Sequence, residues 1–154
     1  MESTSADRTS AFFRFEDLRI YHKALDYITF VHTATANIRT DGSDNLAGKF
    51  NEAARSIALN IAEGSARNKN QFIYYLKMAK SAVREALVLT SACKSLGYLS
   101  EEQNLESRGY LMEMTKMLGA LISSLQRTQD SGKDTDEADD DVVGDPRSYD
   151  AQNY

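Results

Sequence analysis

Four stretches of the chain carry apolar side chains at helical rather than strand spacing, and polar breaks separate them. That periodicity limits the fold more than any other feature. The first stretch, about 15–36, puts Leu18, Tyr21, Leu25, Ile28 and Val31 on one side. The second, about 44–65, does so with Leu46, Phe50, Ala53, Ala54, Ile57, Ile61 and Gly64. The third, about 69–96, uses Phe72, Leu76, Ala79, Val83, Ala86, Leu87 and Thr90. The fourth, about 101–127, uses Leu105, Leu111, Met114, Leu118, Leu121, Ile122 and Leu125. No alternating strand pattern competes. Helices of matched length with short connections pack against their sequence neighbours in antiparallel fashion. The expected fold is all-α, an up-down-up-down four-helix bundle.

The breaks carry stop and start chemistry. "RTDGSDN" is a turn by composition, and Ser43 or Asp44 is placed to cap the second helix. Asn68-x-x-Gln71 and Ser100-x-x-Gln103 are capping-box patterns, and Gly97 is placed to end the third helix.

Length and composition fit one domain. The chain has 154 residues, 42% of them hydrophobic, and a single cysteine. Cys93 has no partner for an internal disulfide, which suits a reducing compartment, and with no histidine near it in sequence a buried structural thiol is expected in preference to a nucleophile. No stretch approaches the roughly 20 apolar residues of a membrane span, and the first residues lack the apolar run of a secretory signal. A cytoplasmic protein is expected.

The net charge of -5 conceals an asymmetry. Residues 130–154 hold nine acids and two bases, whereas residues 49–94 hold eight bases and three acids. The expected organisation is a disordered segment over 1–13, a bundle over 14–128 and an acidic disordered tail over 129–154. The tail has too few apolar residues to offset the entropy of ordering it.

"SIALNIAEGSARNKNQF", residues 56–72, mixes small residues with an Asn and a Glu inside a helical pattern. Ala53, Ala54, Ala58, Ala62 and Gly64 let another backbone come close. Asn60, Glu63 and Gly64 form the structural motif of this stretch. Glu63 precedes Arg67 by four residues, the favourable order for a helical ion pair. Asn60 lies at the edge of the apolar face, where its amide can bridge a helix or subunit seam. A general base or metal ligand at Glu63 would need a partner acid or histidine, and the stretch offers neither.

Three segments resemble one family. They are "FEDLRIYHKAL" (15–25), "SIALNIAEGSARNKNQFIYYLKMAKSAVREAL" (56–87) and "KSLGYLSEEQ" (94–103). Together they resemble the bacterial four-helix bundle proteins also called 23S rRNA intervening-sequence proteins. The resemblance implies an antiparallel bundle and a ring-shaped homo-oligomer, a pentamer in preference. It also extends distantly to the accessory protein of diversity-generating retroelements, such a ring, which binds nucleic acid beside a reverse transcriptase. Two departures stand out. Lys49-Phe50-Asn51-Glu52-Ala53 replaces a Q-L-R-R-A-like run, and Lys80-Ser81 replaces a G-S pair. The first weakens a carried-over nucleic-acid role, and the second adds a positive charge.

Lys77, Lys80 and Arg84 fall within an arc of about 60° on the third helix. None has an acid three or four residues away on that helix, and the like charges at 80 and 84 disfavour each other. A phosphate backbone, a neighbouring subunit's acid or water would relieve them. Arg55, Arg67 and Lys69 are further candidates for a nucleic-acid-binding patch, with Tyr74 and Tyr75 interleaved for base stacking. The plainer alternative is a solvated face beside a tyrosine seam. The acidic tail would either compete with a polyanion for the patch or simply aid solubility. His22 and His32 point in different directions, and no H-x-x-x-H, C-x-x-C, phosphate loop or nucleophile elbow occurs, so no metal, cofactor or catalytic residue is assigned. The expected function is non-catalytic binding of structured RNA, or of DNA, by a homo-oligomer. The alternative is a protein scaffold. Ile73, Tyr74 and Val88, off the core stripe, are the candidate subunit contacts.

Overall fold

The computed structural model describes residues 12–38 and 45–130. The Ser43 and Asp44 caps, most of the first turn, nearly all of the N-terminal segment and the acidic tail beyond Asp130 lie outside them. A single 3-10 turn, Arg14–Asp17, leads into four helices: α1 (Arg19–Thr35), α2 (Leu46–Ser65), α3 (Lys69–Ser95) and α4 (Glu101–Asp130).

Side-chain pairs fix the order around the bundle. Asn51 Nδ2 donates to Thr35 Oγ1 across α1–α2 at 2.8 Å. Gly64 meets Tyr75 and Phe72 across α2–α3. Arg108 donates to Ser91 Oγ across α3–α4 at 2.9 Å. Lys23 pairs with Glu113 across α1–α4 at 2.9 Å. Each helix therefore runs antiparallel to its two neighbours, the expected up-down-up-down arrangement.

The ends follow their local chemistry. Asn45, one residue beyond the predicted caps, accepts from Gly48 N at 2.9 Å and starts α2. Asn68 accepts from Gln71 N at 2.9 Å. Ser100 and Gln103 cap each other reciprocally, at 3.0 and 3.1 Å, a complete capping box. Gly97 adopts φ 77°. Its N–H bonds Lys94 O and that of Tyr98 bonds Cys93 O, the two bonds of a Schellman stop, which needs the left-handed residue that glycine supplies.

The core is built from Phe50, Ile57 and Ile61 of α2, Leu76 and Val83 of α3, Met114 and Leu118 of α4, and Tyr27 and Val31 of α1. Cys93 is fully buried, as expected for a structural thiol. Two faces differ from the sequence expectation. On α1, Ile20, Ala24, Tyr27 and Val31 are buried while Leu25 is exposed. On α4, Asn104 and Ser107 turn inward and Leu105 is 60% exposed. One polar cluster explains both rotations. The Tyr27 hydroxyl meets Ser107 Oγ at 2.8 Å, and Thr90 Oγ1 meets the same oxygen at 2.7 Å while donating to Ala86 O. A reading that sends only apolar groups inward misses a helix phase set by buried hydroxyls satisfying one another.

Candidate nucleic-acid interface

The two halves of α3 show how the basic side chains are arranged. Leu76, Ala79, Val83 and Ala86 anchor the helix in the core. Measured from Leu76 at 100° per residue, Lys77, Lys80, Arg84 and Ser91 all fall about 40–100° to one side. Ser91 is bonded to Arg108 of α4, so this side is the α4 flank. Lys77 and Lys80 are half-buried and Arg84 is exposed, its guanidinium donating to Ser81 Oγ at 3.3 Å. A lysine at half burial is able to lay its methylene stem along apolar surface while its ammonium group stays in water.

Tyr75 and Phe72 lie on the opposite flank, toward α2, where they enclose Gly64. Arg67 sits 5.7 Å from the centre of the Tyr75 ring and forms an ion pair with Glu63. The hydrogen bond that Arg67 donates to Glu63 raises the Arg67 pKa above its ordinary value, with the carboxylate's charge and Tyr75 adding to the effect. A phosphate would have to compete with Glu63 for this guanidinium. Tyr74 packs edge-on to Tyr75 at 5.2 Å. It stands three residues before Lys77, so an aromatic edge adjoins the basic flank. Lys69 opens α3, whose first turn contains no acid, and adds its charge to the positive end of the helix dipole.

The six basic candidates therefore do not form one patch. Lys77, Lys80 and Arg84 make a continuous flank, Arg67 and Lys69 crown the bundle end beside it, and Arg55 stands apart. Around α2, Arg55 lies beyond Asn51, on the side facing α1. Asn60 does not bridge a seam within the chain, because its amide donates to Ser56 O and Ser56 Oγ on its own helix, at 2.8 and 3.2 Å. Arg108 was not found by sequence reasoning. It lies outside the basic run of 49–94, and only the α3–α4 pairing brings it to this flank.

The same flank changes character along its length. Toward the α3–α4 turn it becomes apolar, with Val88, Leu105 and Met112 exposed at 67, 60 and 59%. Ile73, expected outside the core, is buried within it. Tyr74 is half-buried, which leaves Val88 as the one fully outward member of the three candidate subunit contacts. Among the described residues, no group of three His, Cys, Asp or Glu side chains is placed to hold a metal ion, and no helix is long and apolar enough to cross a membrane.

An antiparallel four-helix bundle with one basic, aromatic-edged flank is the class of protein that fold and surface define. The family model described as 23S rRNA-intervening sequence protein matches residues 16–120, and the chain belongs to that family. Comparison with curated proteins gave no match.

Proposed function

We propose that this protein is a non-catalytic, homo-oligomeric bundle of the cytoplasm that binds nucleic acid, structured RNA in preference, through the α3 flank of Lys77, Lys80 and Arg84. The observation that carries this is the flank itself: three cations on one face, continued by Arg108 across the seam and by Arg67 and Lys69 at the bundle end. Such an array suits a phosphate backbone, whose recognition is largely independent of sequence. The family's description, which refers to an rRNA intervening sequence, fits an accessory role in RNA processing.

The triple variant Lys77→Glu, Lys80→Glu, Arg84→Glu tests the assignment. It is expected to lose binding to a labelled RNA hairpin by at least ~30-fold at low salt, since six units of charge change on the contact face. Its helical circular dichroism should stay at the wild-type level, because none of the three side chains is in the core. Unchanged binding would refute the assignment.

Self-association, a ring of five subunits in preference, would cover Val88, Leu105 and Met112. Sedimentation should then show an oligomer at micromolar concentration, and Met112→Asp should dissociate it. A wild-type monomer would remove this part of the proposal. The same apolar residues favour a second reading, a protein scaffold, for which the triple variant would leave partner recovery intact.

A further inference from the structure

The α3–α4 pairing determines where the chain leaves the bundle. Thr90 opposite Ser107 and Ser91 opposite Arg108 fix the antiparallel register. Extended along both helices, it puts Asp130, the last residue of α4, level with the Arg67–Lys69 turn. The segment that follows is therefore rooted at the cationic end of the bundle. From that level, Lys77 and Arg84 lie about 14 and 24 Å along α3, at a 1.5 Å rise per residue.

The sequence beyond Asp130 supplies matching charge at matching distance. Asp134, Asp136, Glu137, Asp139, Asp140 and Asp141 place six acids within eight residues. They lie four to eleven residues past the root, a reach of up to about 13 to 40 Å for extended chain. The chain to the acidic run is thus long enough to reach the level of the basic flank. Tethering also raises its local concentration to the order of millimolar, so even a weak contact would be well populated.

We propose that Asp134–Asp141 folds back in cis over Lys77, Lys80 and Arg84 and competes there with an external polyanion. The competition rests on the polyanion-binding reading of that flank; the contact itself does not. The inference assigns the flank an occupant within the chain, so that nucleic acid must displace a tethered acidic segment to bind.

Two measurements on the full chain test this. The first compares wild type with the variant Asp134→Asn, Asp136→Asn, Glu137→Gln, Asp139→Asn, Asp140→Asn, Asp141→Asn in binding a labelled RNA hairpin. Neutralising the segment should tighten binding about five- to tenfold at low salt, and the gap should close as salt rises, because exposed charges are screened. The second is zero-length carbodiimide cross-linking read by mass spectrometry on equal amounts of ¹⁴N- and ¹⁵N-labelled protein unfolded and refolded together, so that any oligomer holds both labels. Amide links from the acidic run to Lys77 or Lys80 that join only peptides of the same isotope class support the contact in cis. Links that join unlike isotopes as often as like ones place the segment on another copy and overturn the proposal. Equal RNA binding by both proteins, with no link to Lys77 or Lys80, also overturns it and leaves the polyanion reading standing. Links in cis with no RNA binding by either protein keep the contact, overturn the competition and remove the polyanion reading.

Discussion

Gly64→Leu is expected to melt about 10 °C or more below wild type, a loss of at least ~3 kcal/mol for a bundle of this size. Gly64 is buried in α2 with ordinary helical φ, so its role is space and not backbone freedom. A Cβ there would lie 2.7 Å from Tyr75 Cβ and 2.9 Å from Phe72 Cδ2. The phenylalanine ring can turn aside, but the tyrosine Cβ moves only with the α3 backbone. Alanine tests the balance of opposing terms. It gains about 1 kcal/mol of helix propensity and loses about 1–3 kcal/mol to overpacking, so a net loss is expected. Gly109 and Gly119 provide the control, since a Cβ at either meets nothing within 4 Å. Gly109→Ala and Gly119→Ala should raise the melting temperature by a few degrees, from propensity alone. If Gly64→Ala stabilised as much as they do, the close α2–α3 approach would be wrong.

Ser107→Ala is expected to cost about 1–3 kcal/mol, far more than a surface serine would. It removes the oxygen shared by Tyr27 and Thr90. Thr90 keeps its bond to Ala86 O, while the buried Tyr27 hydroxyl loses Ser107. In a Tyr27→Phe background the same change should cost about 1 kcal/mol less, because no phenol is there to lose its Ser107 partner, and a double-mutant cycle reads that coupling. Burial pushes the Tyr27 pKa up to about 12, against opposing hydrogen bonds from Ser107 and Thr90. The folded value lies above the unfolded one near 10, so the native state holds this proton more tightly. Its contribution is complete below pH 10 and is lost as pH rises from 10 toward 12, by roughly 2–3 kcal/mol. Wild type should therefore lose more stability across that window than Tyr27→Phe, as measured by denaturant unfolding. Parallel pH profiles would contradict the buried phenol.

These two sites mark what the sequence made legible and what it did not. Apolar spacing located four helices, and local cap chemistry located Asn68, Ser100 and Gly97, because both depend on residues close in the chain. The small-residue motif around Gly64 was legible for the same reason: a missing side chain at an apolar position predicts a close approach. The phase of α1 and α4 was not, because Tyr27 and Ser107 are 80 residues apart and each looks polar until the other is beside it. At the candidate site, Lys77, Lys80 and Arg84 lie within two turns of one helix, so pitch alone groups them. Arg55 and Arg108 depend on which helix flank faces which neighbour. Only the packing removes the first and adds the second.

The most direct test of the central claim is the salt dependence of RNA binding by the intact wild-type chain, followed by fluorescence anisotropy on a labelled RNA hairpin. A flank of three to six cations predicts that log K falls against log salt with a slope between about -2 and -5. No binding at about 50 mM salt, or a slope near zero, would contradict a phosphate-binding flank.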